Sequence, residues 1–193
     1  MIEQLARTYN NAFLVQKFLR ELNYNKDETL YSAATVIQKQ KAHCLEGAFT
    51  AAAIMEQLGF EPMILSFESI DDLEHVVYLF ETRTGYGSIG KSRDPGLHGR
   101  APVFKSIRDL ALSYFDPYVD STGRITAYQL AHLDEIGVDW RNGSSNLWKA
   151  DRYLVDLPHI QLTNSSKTSD QRYRKLKKEY QKFGAIQNGP FWW

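Results

Sequence analysis

One cysteine stands in this chain of 193 residues, and its neighbours make it a candidate nucleophile. Cys44 occurs in the stretch KAHCLEGAFTAAA, where polar and basic residues precede it and an alanine-rich run follows. If that run is a helix, the thiol lies at its N-terminus, where unpaired backbone amides and the positive end of the helix dipole favour the thiolate. A thiolate attacks carbonyl carbons. The alternative is that Cys44 is a small buried hydrophobic residue, as free cysteines often are.

A thiol nucleophile needs a base, and His75 is the best placed of the five histidines. It begins the β-branched and aromatic run HVVYLFE directly after an acidic loop, a position that suits an imidazole on a rigid strand. His43 adjoins Cys44 and, on a continuous helix, would point about 100 degrees away from it, so the sequence favours His75. The alternative for His75 is a hydrogen-bonded strand residue without a catalytic role.

The imidazole of a base is normally held in one tautomer by a third group. If a turn near Arg83 closes a hairpin, the residues around Lys91 and Ser92 lie opposite His75. Asp94 is the nearest carboxylate in that segment, but it begins an Asp-Pro pair that would equally well initiate a turn. The candidates for the third group are therefore Asp94, Ser92 or a backbone carbonyl.

An oxyanion formed by attack on a carbonyl needs hydrogen-bond donors. The backbone amide of Cys44 is one candidate, and the side-chain amide of Gln38 or Gln40, shortly before it, is a second. Either glutamine would equally well be solvated at the end of a helix.

The elements that must position these residues are predicted from hydrophobic periodicity. Helices are predicted over residues 2–22, from an N-cap at Asp27 to about residue 41, from Cys44 to a stop near Gly59, and over about residues 103–116. Strands are predicted over residues 63–67 and, as an antiparallel hairpin, over residues 74–92. Weaker patterns predict a short helix in AYQLAHLDEIG and a strand in RYLVDLPHIQL.

Composition limits the other functions. The chain has 23 Lys and Arg against 23 Asp and Glu, so no net charge attracts nucleic acid or an anionic membrane. One cysteine and scattered histidines give no zinc-binding spacing, and no phosphate-binding glycine motif occurs, so we predict no metal and no cofactor. No apolar run approaches the roughly 18 residues of a membrane span, and the N-terminus lacks the apolar core of a signal peptide. We therefore expect a cytoplasmic protein.

The order of these features resembles the transglutaminase-like branch of the papain-like cysteine superfamily. Its pattern of a cysteine, small residues, a Leu-Gly pair and a histidine on a later strand is matched by Cys44, Ala48, Ala52, Leu58, Gly59, Pro62 and His75. The likeness covers about residues 30–115, and its later part is most similar to small bacterial proteins with this core. Where members of the family place an aspartate near the end of the returning strand, this chain has Gly90, Lys91 and Ser92.

The resemblance implies an α+β fold with a papain-like or transglutaminase-like core, in which the Cys-bearing helix packs on a small antiparallel sheet. We expect one domain over residues 1–193, with its core at about 30–115 and a C-terminal helical tail over residues 164–193.

The implied activity is that of a cysteine-dependent amide hydrolase or acyl transferase that acts on a peptide or carboxamide through a thioacyl intermediate. The candidate catalytic residues are Cys44, His75 and Asp94, with Gln38 and Ser92 at the oxyanion or substrate. The alternative is a non-catalytic interaction module for a protein partner, which keeps the fold with an incomplete triad.

Overall fold

The computed structural model describes residues 1–69, 74–115, 117, 125–162 and 178. The helical tail predicted over residues 164–193 lies outside the described residues, apart from Lys178. In the part of the chain that is described, none of the helices has both the length and the apolar character needed to cross a membrane.

Most of the helices precede the main sheet in the described chain. The α-helices are α1 (Ile2–Thr8), α2 (Ala12–Glu21), α3 (Ala33–Lys39), α4 (Cys44–Glu56), α5 (Ile107–Leu112) and α6 (Trp148–Val155). The strands are β1 (Asn23–Tyr24), β2 (Lys41–Ala42), β3 (Met63–Ser69), β4 (His75–Thr82), β5 (Gly85–Ile89), β6 (Arg100–Phe104), β7 (Ile125–His132) and β8 (Ile160–Gln161). Short 3-10 helices occur at Pro95–Leu97 and Leu133–Glu135.

The main sheet is antiparallel, with the strand order β6-β5-β4-β3-β7-β8. Strand β3 lies at its centre, where Phe67 pairs with His75 on one side and with Tyr128 on the other. The predicted strand at residues 63–67 and the hairpin after it are confirmed. The α+β class, with the Cys-bearing helix packed on an antiparallel sheet, is also confirmed.

Helix α4 is the central helix of the molecule, because every residue from Leu45 to Met55 is buried. Its alanines let α1, α2 and α3 approach closely on one side, while β4 packs on the other. The core on this face of the sheet includes Ile64, Val76 and Tyr78. A second core covers the opposite face, where α5 packs over strand residues that alternate with the first set. The sheet is therefore buried on both faces, and its strand ends are where a site can open.

The N-terminal half differs from the prediction at two helix starts. A break before Asn11, whose side chain accepts from the backbone N–H of Leu14 at 3.0 Å, divides residues 2–22 into α1 and α2. The next helix starts at Ala33 with Ser32 as its N-cap, not at Asp27. Between Asn25 and Tyr31 the chain instead hydrogen-bonds to a carboxylate of α4, which keeps this segment out of a helix.

In the second half, one prediction was wrong and one was confirmed only in part. The stretch AYQLAHLDEIG forms β7 and a 3-10 turn rather than a helix, because its residues pair with β3 along nearly their whole length. Of the stretch RYLVDLPHIQL, the first four residues end α6, where Ala150 and Leu154, four residues apart, are buried on one side, and only Ile160–Gln161 form a strand, β8.

Candidate active site

Cys44 is the first residue of α4, and the chain around it fixes this helix start. His43 has extended backbone angles (φ −91°, ψ −171°) and is the N-cap. Its backbone N–H donates to Glu46 Oε2 at 2.9 Å, which is one half of a capping box. The N–H of Gly47 donates to the carbonyl of His43 at 2.8 Å and closes the first turn. The thiol thus lies at the positive end of the helix, and Cys44 is partly exposed.

His75 is the first residue of β4, and it is buried. Its ring stacks on Phe67, with centroids 6.1 Å apart and planes 12° apart, and it also meets Tyr114. Its Nε2 lies 2.8 Å from the carbonyl oxygen of Leu97. Because a carbonyl oxygen only accepts hydrogen bonds, Nε2 carries a hydrogen, and Nδ1 is the basic atom of the neutral ring. The ring is also hydrogen-bonded to the side chain of Cys44.

The surroundings of Cys44 favour its thiolate. Burial of the sulfur raises the pKa of the thiol, but hydrogen bonds to His43 and His75 and the charges of these two rings lower it, and the resulting pKa is about 5. The ordinary pKa of a cysteine thiol is 9.0. The group is therefore a thiolate at neutral pH, which is the form that reacts with carbonyl carbons and alkylating agents.

His43 contacts the thiol too, contrary to the prediction that it points away. That prediction assumed a helical backbone, whereas the N-cap backbone of His43 is extended. Its Nε2 lies 2.9 Å from the carbonyl oxygen of Thr29 and 3.6 Å from Glu46 Oε1. Burial lowers the pKa of His43, but the hydrogen bond to Cys44, the charges of Cys44 and Glu46 and the bond to Thr29 raise it, to about 9.

Glu46 is a fully buried carboxylate that the sequence analysis did not single out. Its oxygens accept from Asn25 Nδ2 at 2.9 and 3.1 Å and from the backbone N–H of Tyr31 at 2.8 Å, in addition to the bond from His43. The available signal was its position three residues after the N-cap, the place of the acidic residue in a capping box.

The segment after β5 carries the predicted residues Ser92 and Asp94 and presents Leu97 to the site. Ser92 Oγ accepts from the backbone N–H of Asp94 at 3.1 Å, and the carbonyl of Asp94 accepts from the N–H of Leu97 at 3.0 Å. These bonds form a turn that leads into the 3-10 helix. The atom seen to bond Nε2 of His75 is thus a backbone carbonyl, one of the three kinds of group that the sequence left open.

Arg100 fixes the segment after β5 by hydrogen bonds to its backbone. It is fully buried, and its guanidinium donates to the carbonyls of Gly96 and His98, each at 2.8 Å. Its central carbon lies 3.9 Å from the centroid of the Tyr114 ring. Since Leu97 stands between the two bonded carbonyls, Arg100 fixes the position of the group that orients His75.

Gln16 of α2 is a second support that the sequence analysis missed. This buried side chain accepts from the backbone N–H groups of Gly90 and Gly99 at 2.9 and 2.8 Å and donates to the carbonyl of Gly90 at 2.9 Å. It therefore joins both ends of the segment over residues 90–99 to the helical layer. A lone Gln on an amphipathic helix gives no sequence signal for such a role.

The predicted oxyanion donors differ in their placement. The backbone N–H of Cys44 is at the helix start, where it has no partner within the helix. Gln38 lies on α3 with its side chain exposed, and it forms no hydrogen bond with another described residue. Gln40 donates to the carbonyl of Ile37 at 2.6 Å. The Cys44 amide thus adjoins the thiol, whereas the side chain of Gln38 is exposed and that of Gln40 bonds to α3.

Two further titratable groups lie within the field of the thiolate. Burial raises the pKa of Tyr24, and the charge of Cys44 raises it further, while Arg93, 5.5 Å from the centre of its ring, lowers it. Partial burial and repulsion by Asp151 and Cys44 raise the pKa of Glu74 to about 7. Among the described residues, no group of three or more His, Cys, Asp or Glu is arranged to hold a metal ion.

No protein-family model matches the chain, and no curated protein sequence is significantly similar to it. Among solved structures, the chain is similar to LapG of Legionella pneumophila in its EGTA-treated form. The TM-score is 0.37 and the sequence identity is 12%, over 80% of this chain and 94% of LapG.

Proposed function

We propose that this protein is a cysteine-dependent amide hydrolase or acyl transferase that acts on a peptide or carboxamide. One observation carries the proposal: the thiol of Cys44, at a helix N-terminus, is hydrogen-bonded to His75, whose other ring nitrogen is anchored on the carbonyl of Leu97. A nucleophile, a base within reach and a group that orients the base are the parts that thiol-based acyl transfer requires.

Before acylation, the proton of the thiol has passed from the sulfur of Cys44 to Nδ1 of His75, and the resulting thiolate attacks the carbonyl carbon of the substrate. The carbonyl oxygen becomes an oxyanion, which the backbone N–H of Cys44 faces at the helix start. As the carbon–nitrogen bond breaks, Nδ1 of His75 returns its proton to the leaving nitrogen. An amine leaves, and a thioester on Cys44 remains.

In the deacylation step, water or an amine attacks the thioester. Nδ1 of His75 takes a proton from the attacking group, the carbon–sulfur bond breaks, and the acid or new amide leaves. The sulfur departs as a thiolate, the form that the surroundings of Cys44 stabilise. Gln38, as a side chain at the oxyanion or substrate, would require α3 to move, because it is exposed in this structure.

A non-catalytic interaction module is the second candidate function. It is favoured by the acceptor for Nε2 of His75, which is a neutral backbone carbonyl. A neutral acceptor fixes the tautomer but stabilises the imidazolium less than a carboxylate does.

The reactivity of Cys44 separates these two functions. We expect iodoacetamide to alkylate the native protein with a rate that rises through a midpoint near pH 5, the pKa of the thiol. At pH 6 the rate should exceed that of free cysteine by roughly tenfold, after allowance for the lower nucleophilicity of a less basic thiolate. In His75→Gln the midpoint should rise, because one hydrogen bond to the thiolate is lost.

His132→Gln is the matched control, since His132 ends β7 at the other end of the sheet, beside Glu61. It should behave as the native protein. A native Cys44 that titrates and reacts like free cysteine, with no change in His75→Gln, would favour the interaction module and exclude the proposed chemistry.

A further inference from the structure

Two imidazoles, those of His43 and His75, lie beside the thiol. The proposed mechanism gives a role to His75 but none to His43. Nε2 of His43 lies 2.9 Å from the carbonyl oxygen of Thr29, so by the argument made for His75 this nitrogen carries a hydrogen. The ring is hydrogen-bonded to Cys44 as well, and Nδ1 is the nitrogen that remains for this bond. Both imidazoles therefore present Nδ1 to one sulfur, and both have Nε2 anchored on a backbone carbonyl.

The two rings differ in what lies behind them. Glu46 Oε1 is 3.6 Å from Nε2 of His43, and this carboxylate is held in place by Asn25 and by the backbone of Tyr31. Its position is thus set by groups other than the ring of His43. A carboxylate at this distance favours the charged form of the ring, whereas His75 has a neutral carbonyl at its Nε2.

We propose that His43 is a further catalytic residue, an imidazolium that stays charged through the reaction and donates Nδ1–H to the sulfur of Cys44. It stabilises the thiolate before acylation and again when the sulfur leaves in deacylation, while His75 carries the mobile proton. No proton moves to or from His43 in either step. This inference rests on the proposed function, because a charge that stabilises a thiolate matters only if the thiolate reacts.

The charged groups that face this pair come from several elements. Tyr24 of β1 and Glu74, just before β4, lie in the field of the thiolate, and Glu46 of α4 faces the ring of His43. The high pKa of His43, about 9, agrees with a ring that is charged at neutral pH. Tyr24 and Glu74 each add a negative charge when ionised and therefore oppose the thiolate, so the low pKa of Cys44 depends on its two imidazoles.

The test compares His43→Asn with His75→Gln and with the control His132→Gln. Asn is a favoured N-cap, so the helix start is kept while the charge of the imidazole is removed. We expect the midpoint of iodoacetamide alkylation in His43→Asn to rise by about one to three pH units, with the rate recovered at high pH. The ultraviolet absorbance of the thiolate, measured against Cys44→Ser, should give the same midpoint.

Acyl transfer from p-nitrophenyl acetate distinguishes the roles of the two rings. In His43→Asn, release of p-nitrophenol at neutral pH should fall and recover as the pH is raised. In His75→Gln, turnover of the acyl-enzyme should stay slow at every pH, because the proton carrier is missing. A His43→Asn midpoint equal to that of the native protein would overturn the role of His43 and leave the proposed function intact.

The charge of the His43 ring can also be measured in the native chain, without a substitution at His43. Nitrogen NMR of the His43 ring should show both nitrogens protonated at neutral pH, with titration near pH 9. In Cys44→Ser the ring should titrate at lower pH, since the thiolate is gone. A neutral His43 ring at pH 7 in a protein whose Cys44 is a thiolate would overturn the inference, whereas a Cys44 that titrates like free cysteine would overturn the proposed function itself.

Discussion

At the scale of single residues, the proposed mechanism divides two tasks between two histidines. His75 has a neutral acceptor, the carbonyl of Leu97, and this suits a base that must release its proton again. His43 has the carboxylate of Glu46 nearby, which suits a ring that keeps its charge. A single imidazole with a carboxylate behind it has to do both. The separation explains how a site can work with a backbone carbonyl at Nε2 of its base.

Asp94, the carboxylate predicted for that position, is tested by substitution. Both ring nitrogens of His75 have partners, Leu97 at Nε2 and Cys44 at Nδ1, so we predict that Asp94→Asn changes the alkylation midpoint by less than about half a pH unit. The carbonyl of Asp94, which holds the N–H of Leu97, is kept in this variant. Alkylation measured across pH checks the prediction, with Ser92→Ala beside it. A rise of one unit or more in Asp94→Asn alone would give the carboxylate the role that the sequence suggested.

The sequence identified side chains by their chemical type, but it could not show which backbone group would contact them. Cys44 and His75 were singled out from their residue classes and from the elements they begin, and the thiolate-favouring helix start is where the pattern put it. The anchor of His75 is a backbone carbonyl of Leu97, and a carbonyl group is present at every position of a chain. His43 was misjudged because the angle between neighbouring side chains depends on whether the first residue is the N-cap or part of the helix.

At the scale of elements, the position of the thiol depends on how closely α4 approaches the chain after β5. Gly47, one turn into α4, faces Lys91, and a Cβ built on Gly47 would lie 2.6 Å from the Cβ of Lys91. The ammonium of Lys91 in turn donates to the carbonyls of Arg20 and Leu22 at the end of α2. The contact therefore ties the Cys-bearing helix to the segment that orients His75.

We predict that Gly47→Ala destabilises the fold by about 1–3 kcal/mol and slows the alkylation of Cys44, because α4 must shift away from Lys91. Urea denaturation measures the first effect and iodoacetamide the second. Lys91→Ala keeps the interfering Cβ and should not rescue the variant, whereas Lys91→Gly removes it. The Gly47→Ala change should therefore cost less in a Lys91→Gly background than in the native one. Equal costs in both backgrounds would show that the close approach is not the cause.

Helices and strands were predicted correctly where the local residue pattern favours the same structure as the long-range contacts. The Ala-rich run of α4 and the β-branched run of β4 satisfy both, and both were predicted correctly. The segment Ile125–His132 contains Ala, Gln and Leu, which favour a helix, yet it forms β7 because it completes the ladder with β3. The first residues after Asp27 are kept from a helix by their bonds to Glu46, which no local pattern reveals.

At the scale of the whole molecule, the two cores leave the site at one end of the sheet. His75 stands where β4 begins, and its ring packs with Phe67 and Tyr114 of the core that lies opposite α4. Cys44 begins the helix that packs on the other face. The hydrogen bond between their side chains therefore joins the layers on the two faces of the sheet at its end. It requires both layers to be in place, so the reactivity of the thiol reports on the intact fold.

The charges of Cys44 and His43 also link the stability of the molecule to pH. The pKa of Cys44, about 5 in the folded state, is below its ordinary value of 9.0, so this thiol contributes stability that is fully present above pH 9 and is lost as the pH falls through 5. The pKa of His43, about 9, is above its ordinary value of 6.5, so this ring contributes stability that is fully present below pH 6.5 and is lost as the pH rises through 9.

Between pH 6.5 and 9 these two slopes have opposite signs and cancel, whereas between pH 5 and 6.5 only the thiol contributes a slope. We therefore predict that the difference in unfolding free energy between the native chain and Cys44→Ala rises from about pH 5 to 6.5 and then stays level to about pH 9. Urea denaturation at each pH, followed by circular dichroism, measures this difference, and the subtraction removes groups outside the pair. His132→Gln should keep the native profile. A difference that does not change between pH 5 and 6.5 would contradict the depressed pKa of the thiol.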